Sequence, residues 1–504
     1  MGNSNSPHPA SIHILDDDSL LHVFYLYRPF LLGEDEDENA RLTGGNKSWV
    51  GGRWWYELAH VCQRWRNVIL GSASYLGLFL VCTYGTPVAD MLAHSPPLPL
   101  IIDYYFDENR DITENEEGAI LALKHRDRVR RVRLRMSPAN LQLLIAAIDD
   151  EYPVLEYLII ETPFGDRSTI LILPETLQAP NLRHLTLNGF AFPIGSRLLT
   201  NAVGLVSLCL VMNHPSTYFH PNTLLRWLSI MPQLEILVIT LFFPVPNHET
   251  ERQLTHMPII APVTLPNLYY FRFSVVSAYL EALVRRITTP RLENLLISFF
   301  NQLTFSVPRL LQFINTTENL RFDSAIFWFS DKRVSVGVYP QEEVEMYALV
   351  LDVLCQHLDW QVSSVAQISN SLSQMFSAAD HLTLKHEEHS RSSEEHNKVD
   401  RTEWRKLLGP FRNVKTLWID NGLVGQLSRC LESEDGELPL EVLPELQVLT
   451  YSGSGNFGDA FTSFIDARQN ADRPITLVHH NPSPDLVHVP SEPSSITAAS
   501  IEAE

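Results

Sequence analysis

A six-residue pattern with apolar side chains at its first, fourth and sixth positions recurs along most of this chain. It reads VRRVRL at 129–134, LEYLII at 155–160, LRHLTL at 182–187, LVSLCL at 205–210 and LEILVI at 234–239. It returns as LYYFRF at 268–273, LENLLI at 292–297, VKTLWI at 414–419 and LQVLTY at 446–451, with a weaker copy, ADHLTL, at 379–384. The alternation inside each copy predicts a short strand with one inward face. Helical spacing separates many of the copies, clearest in Leu141, Leu144, Ile145 and Ile148 and again in Leu280, Leu283, Val284 and Ile287. Asn or Pro often stands just before the strand, as in APNLRHLTL and LPNLYYFRF.

The copies lie roughly 23–35 residues apart, which overlaps the range of leucine-rich repeats. They lack the Asn or Cys that closes a standard repeat. A single strand–helix unit cannot bury its apolar face alone, so each must stack on its neighbours. The pattern therefore predicts an α/β fold over residues 125–480: an irregular leucine-rich-repeat-like solenoid, elongated and curved, with a parallel sheet. Residues 331–365 interrupt it with an alternating strand, KRVSVGVYP (332–340), and a helix in VEMYALVLDVLCQHL (344–358). KHEEHSRSSEEHNKVDR (385–401) reads as a charged loop, and the Pro/Ser/Glu-rich residues 481–504 read as a disordered tail.

The N-terminal region has a different rhythm. In IHILDDDSLLHVFYLY (12–27) Asp18 is placed to cap a helix carrying Leu20, Leu21, Val23, Phe24 and Tyr27. GEDEDENARLTGGNKSWVGG (33–52) reads as an exposed insertion. The helical signal resumes in RWWYELAHVCQRWRNVIL (53–70), where Leu58, Val61, Cys62, Trp65 and Ile69 form one apolar face. Residues 12–72 thus form a small helical module, preceded by a polar leader (1–11) and followed by a linker or capping region (73–124).

Net charge is −21, which argues against general affinity for nucleic acid or anionic membranes. Five dispersed cysteines without a C-x-x-C pair suit reduced thiols in a cytoplasmic or nuclear protein. No apolar run approaches the ~18 residues of a membrane span. The leader matches M-G-x-x-x-[ST] through Gly2 and Ser6, a lipidation pattern whose single acyl chain at Gly2 would give weak membrane association.

Three stretches invite chemistry. Gly453, Gly455 and Gly458 stand in G-x-G-x-x-G spacing between a strand and a helix. A dinucleotide fold would need a following strand ending in an acid, whereas the next one, ITLVHHN (475–481), ends in His and Asn. Asp459 would also oppose a phosphate there, so the glycines read as a repeat connector with no cofactor. His386, Glu387, Glu388 and His389, with His396, lack the H-E-x-x-H frame and read as solvated loop rather than metal site. KHRDRVRRVRLR (124–135) turns Val129, Val132 and Leu134 toward the core and Arg131, Arg133 and Arg135 to the opposite sheet face. An acidic or phosphorylated peptide suits such guanidiniums, and a solvated edge is the plainer reading. His184, Thr186, Tyr270, Arg272 and Trp418 extend that face as a polar and aromatic strip. Ile159, Ile236, Val238 and Leu296 make it apolar in places, which fits either a hydrophobic receptor surface or strands covered on both sides.

LDDDSLLHVF (15–24) followed by LAHVCQRWRNVI (58–69) resembles the F-box domain, usually worded L-P-D-D-V-L-L-E-I-F and then a Cys-Arg-x-Trp-like element. Leu15, Asp17, Asp18, Leu20, Leu21 and Phe24 match, and Cys62, Arg64 and Trp65 fit the second half with Arg64 displaced by one. Asp16 replaces the motif proline and Ser19 an apolar residue. Residues 74–102 and LDWQVSSVAQI (358–368) resemble segments of F-box/leucine-rich-like proteins abundant in mushroom-forming fungi. The resemblance implies a non-catalytic substrate receptor of a Skp–cullin–RING ubiquitin ligase. Leu15, Leu20, Leu21, Phe24, Val61 and Trp65 would meet the Skp-type adaptor, and Arg131, Arg133, Arg135, His184, Tyr270, Arg272 and Trp418 a protein substrate. The alternative is a repeat scaffold for protein–protein interaction that no longer binds the adaptor.

Overall fold

The computed structural model describes residues 15–28, 54–105, 116–162, 170–191, 196–212, 214, 217–241, 261–300, 307–317, 319–320, 322–340, 347–387, 399–432, 441–452 and 458–480. The leader with Gly2, the acidic insertion, the loop holding Glu388, His389 and His396, Gly453, Gly455 and the tail lie outside these residues. The chain divides into two compact units, one reaching to His184 with 195–201, the other running from Leu185 to 194 and from Ala202 onward.

In the first unit four parallel strands lie side by side: β1 (Leu80–Thr83), β2 (Leu100–Tyr105), β3 (Val129–Arg135) and β4 (Tyr157–Glu161). The array therefore begins near residue 80, earlier than the hexapeptide pattern shows. LFLVCT and LPLIID supply buried strands without the pattern's spacing, so the stretch expected as a linker or capping region contributes two strands to the array. Between strands the chain returns through short helices, among them Val88–His94, Glu116–Leu123 and Pro138–Ala147. Leu141, Leu144 and Ile145 are buried on the last of these, as their spacing predicts.

One hydrogen-bond device repeats in both units. The first apolar residue of most of the hexapeptides closes a turn: Leu155 donates to Tyr152, Leu182 to Ala179, Leu234 to Met231 and Leu292 to Thr289. The next two residues then dock on the preceding repeat. The Glu156 carbonyl accepts the N–H groups of both Arg183 and His184; Glu235 accepts Tyr269 and Tyr270, Tyr269 accepts Glu293 and Asn294, and Asp380 accepts Lys415 and Thr416. Except in β3, which begins at the first position and carries a register shift there, each strand proper starts at the third position, which is why the first, fourth and sixth positions all reach the core although a strand alternates with period two. The Asn before the strand adds a side-chain clasp. Asn181 donates Nδ2 to the Pro153 carbonyl (2.6 Å), Asn267 to Pro232 (3.4 Å) and Asn319 to Pro290 (3.2 Å).

In the second unit the strands Ser207–Met212, Ile236–Leu241, Tyr270–Val275 and Asn294–Phe300 pair in order and in parallel. The order then breaks. Leu349–Leu354 pairs with Asn294–Phe300, Arg333–Tyr339 runs antiparallel between Leu349–Leu354 and Ser324–Phe329, and His381–His386 resumes the parallel run beside Ser324–Phe329. A two-residue hairpin at Asp331–Lys332, closed by Ser330 N–H to the Arg333 carbonyl (3.0 Å), reverses the chain. The stretch 344–358, expected to be helical, is strand over Leu349–Leu354. Leu349, Val350, Leu351 and Val353 are buried on both sheet faces, and a largely apolar run of this length, broken only by Asp352, fits a covered strand as well as a helix. The helix is instead Leu358–Ser371, which carries the chain across two strands. Its buried Gln361 donates Nε2 to the Ser330 and Cys355 carbonyls (2.6 and 2.8 Å), tying hairpin to crossover. Likewise Ile287, expected on the helix with Leu280, lies beyond Ser277–Val284 in a two-residue strand paired with Val263–Thr264.

The remaining strands Thr416–Ile419, Val448–Ser452 and Thr476–His480 complete the run in parallel. The helix Thr462–Asn470 carries Arg468, which is fully buried. Its guanidinium donates to the carbonyls of Leu443, Pro444 and Leu446 and, through Nε, of Arg473 at 2.7–3.3 Å. Leu443 has φ +50°, a left-handed turn that the arginine holds from inside. Burial lowers the Arg468 pKa, and these carbonyls are what its charge gains in exchange for water. Arg468→Met keeps the volume but orphans the acceptors, and urea unfolding will show a loss of about 3 kcal/mol or more.

Candidate functional site

The helical module places its residues by three helices. Asp17–Tyr27 is capped by Asp16, not Asp18: the Asp16 carboxylate accepts the Ser19 N–H at 2.7 Å. That bond holds the Asp16 pKa below its usual value. The residue replacing the motif proline is thus an exposed cap rather than a buried charge. The stretch 53–70, expected as one helix, is two, Trp54–Ala59 and Gln63–Gly71. Cys62 is extended and its Sγ accepts the Trp65 N–H, while Arg66 Nε fills the Ala59 carbonyl at 3.0 Å. The break swings Val61 out of the apolar face to 59% exposure. Arg64 bridges to Asp17 (2.8 Å) and to the Leu15 carbonyl (2.6 Å), closing the module.

Leu20 and Phe24 lie fully inside, with the Phe24 ring edge-on to Trp65 at 4.9 Å. Leu15, Leu21 and Trp65 are half-buried. The sequence pattern did not single out Leu26, Tyr25 or Val23 as surface groups, yet all three are exposed, Leu26 most of all. At 3.6 residues per turn Tyr25 and Leu26 fall on the side turned from Leu20 and Phe24, a signal present in the sequence, whereas Val23 lies at the flank of the buried face.

The sheet face of the first unit brings Arg131, Arg133, Arg135 and His184 together. Arg131 lies 4.4 Å over the Tyr157 ring, which stacks on His184 at 4.2 Å with only 9° between planes. Arg133 and Arg135 lie 3.8 and 5.2 Å from the Tyr105 ring centre. Tyr105 Oη accepts from Arg135 Nη1 and donates to Glu161 Oε2, both at 3.1 Å. Asp103 sits opposite Arg133 in the register. Arg131 and Arg133 are therefore buried in a cation–aromatic layer, and neither of the sequence alternatives, open receptor arginines or solvated edge, describes them. Tyr105, Tyr157 and Glu161 were missed; each sits directly beside an arginine once the strands are in register.

In the second unit the corresponding residues form one continuous row across the paired strands: Cys209, Val238, Arg272, Leu296, Val350, Gly337. It continues through Ile326, Thr383, Trp418, Thr450 and Val478. Arg272 and Trp418 share this row, six strands apart, whereas Tyr270 lies one step along its strand and is buried. Ile236 and Val238 are buried too, so that strand is covered on both faces; Leu296 and, in the first unit, Ile159 are half-buried. Gly337 leaves room for Tyr347, whose ring would meet an added Cβ at 2.9 Å. Lys385 stands 6.0 Å from the Trp418 ring, its pKa lowered by burial despite the Asp420 charge.

Asp420 accepts the His386 and Asn421 N–H groups and the Ser452 hydroxyl, knotting three strand ends. Burial raises the Cys355 thiol to about 12, and no disulfide joins the five cysteines, all of which are described. Among the described residues no group of three or more His, Cys, Asp or Glu is placed to hold a metal, and no helix is long and apolar enough to cross a membrane.

No family model and no curated protein matches this chain. Among solved structures it is similar to the leucine-rich repeat-containing protein LegL7 from Legionella pneumophila, at 10% identity, covering 80% of this chain and 91% of that one with a TM-score of 0.24. The repeat architecture rests on the strand register and the recurring turn described above.

The Glu161 carboxyl is raised above its usual range, chiefly by burial, with Tyr105, Arg135 and Arg133 opposing. Folding thus favours its protonated form, a contribution present below the unfolded-state pKa and lost as pH rises through the folded value. Glu161→Gln will melt higher than wild type near neutral pH, and the difference will shrink toward acid. A Gln variant melting lower at neutral pH would contradict this.

Proposed function

We propose that this chain is a non-catalytic substrate receptor of a Skp–cullin–F-box type ubiquitin ligase, its helical module docking on a Skp-type adaptor and its repeats holding a protein substrate. The observation that carries the reading is the concentration of exposed apolar side chains in the module. Of thirteen exposed large hydrophobics among the described residues, six lie there or just beyond it: Val23, Tyr25, Leu26, Tyr27, Val61 and Tyr75. Such a concentration of exposed apolar side chains on a small module, with Tyr25 and Tyr75 ring centres 5.4 Å apart, supports an interaction site there. Leu20 and Phe24 build the helix pair from within, so the adaptor contact passes to Val61 and Leu26 with support from Leu15, Leu21 and Trp65. The exposed Asp16 cap leaves that surface free of a buried charge.

The sheet-face residues Arg131, Arg133, Arg135, His184, Tyr270, Arg272 and Trp418 would then serve the substrate through shape and layer rigidity more than through open charge. Such a receptor contributes proximity, raising the effective concentration of substrate lysines near a separately bound conjugating enzyme. It needs no cofactor, and neither nucleic acid nor membrane insertion enters the reading.

Co-purification of the full chain with a Skp-type adaptor tests it. Leu26→Asp with Val61→Asp, both at the surface, will abolish capture while leaving the circular dichroism spectrum and melting temperature near wild type. A folded wild type that captures no adaptor would leave the repeat scaffold as the reading.

A further inference from the structure

A groove of about 400 Å³ opens at the N-terminal ends of the first unit's strands, lined by none of the residues assigned to the two surfaces above. Its walls come from successive inter-repeat loops: Pro97 and Pro99 before β2, Arg128 and Arg130 around the start of β3, Val154 before β4, and Arg183 before the strand His184–Asn188. The sequence singled out the basic stretch 124–135, but only for its sheet-face arginines.

The three arginines have different states. Arg128 is part of the wall, its Nε and Nη2 bound to the Leu98 and Pro96 carbonyls at 3.0 and 3.3 Å. Arg130 is exposed and reaches Glu156 through Nε at 2.8 Å. Arg183 is exposed, and among the described residues its guanidinium makes no hydrogen bond or ion pair; only its backbone N–H is used, at the Glu156 carbonyl. Beside them Val154 is 39% exposed, and Pro97 and Pro99 add rigid apolar walls. Asp127 and Glu156 are the acidic members of the lining, so the groove is net basic on a chain of net charge −21.

We propose that this groove binds an extended peptide segment in which carboxylates alternate with proline or other apolar residues. One carboxylate would take the Arg183 fork, another would share Arg130 with Glu156, and the intervening apolar residues would lie on Pro97, Pro99 and Val154. Guanidinium forks favour planar carboxylates bidentately, and the proline walls favour an extended chain that has little entropy left to lose. The groove is independent of the adaptor surface and stands whether or not the helical module docks.

Fluorescence anisotropy of the full chain with a labelled alternating Glu–Pro peptide tests this, with the Gln–Pro peptide as its neutral counterpart. Saturable binding of the Glu–Pro peptide is expected, falling about tenfold or more in Arg183→Glu and unchanged in Arg412→Glu, an exposed arginine of the other unit. Arg183 holds nothing in the fold through its side chain, so the variant will keep the wild-type melting temperature. Absence of saturable binding, equal binding of the Gln–Pro peptide, or indifference to Arg183→Glu would each overturn the proposal. Selective capture of duplex DNA or phosphatidylserine vesicles, with no peptide bound, would overturn it in favour of another ligand class.

Discussion

One carbonyl accepting two consecutive N–H groups from the next repeat is the interaction on which this architecture depends. Glu156, Glu235, Tyr269 and Asp380 all supply it, and in each case the donors are the two residues that separate the first apolar position from the second. The bond sets the register of each strand on the one before, and register decides which side chains face inward. A one-residue slip would send Leu185 and Leu187 to the surface and draw His184 and Thr186 into the core. Side chains reinforce the step in their own ways. Asn181 and Asn267 clasp the preceding proline carbonyl, and Glu281 caps the following helix through the Arg309 and Leu310 N–H groups at 2.9 and 2.8 Å. Because every repeat rests only on its neighbours, an irregular spacing is tolerated as long as each step closes.

The same logic explains where the regular order is abandoned. Between Asn294–Phe300 and His381–His386 the sheet contains a hairpin and a returning strand, so the array gains an antiparallel member without losing its run. Its inner face is filled by Val334, Val336 and Val338, while Gly337 on the outer face yields space to Tyr347. Phe327, Phe376 and Phe411 pack together beside this region, with ring centres 5.0–6.2 Å apart.

What could be read from the sequence follows from this division of labour. The hexapeptide pattern is written in inward leucines, so its strands were legible almost to the residue, as were the antiparallel strand at 333–339 and the helix at 138–147. Elements lacking the pattern were not. β1 and β2 hide in apolar runs that mark burial without period, and the sequence around Leu349–Leu354 fits a helix equally well on the same account. Caps and breaks were displaced by small local bonds, Asp16 to the Ser19 N–H and Cys62 to the Trp65 N–H, whose geometry a spacing rule does not contain. For the candidate surfaces, sequence placed the arginines on the right face but gave no view of what lies across the register. Tyr105, Tyr157 and Glu161 become partners only when strands from different repeats are laid side by side.

That arrangement gives β3 two separate roles. The register shift at its start leaves Arg130 between Val129, paired with Leu100, and Arg131, paired with Ile101. Odd-numbered Arg131, Arg133 and Arg135 then follow the strand's alternation into the aromatic layer, where stacking and burial restrict them. Arg130, outside the ladder, turns to the loop edge beside Arg128 and Arg183. An uninterrupted strand would have set Arg130 on the core side with Val132 and Leu134, where an unpaired guanidinium is untenable. The bulge removes that conflict, and in doing so it moves the basic character of residues 124–135 from the sheet face, where charge is already matched, to an edge groove where a guanidinium stands ready for a ligand.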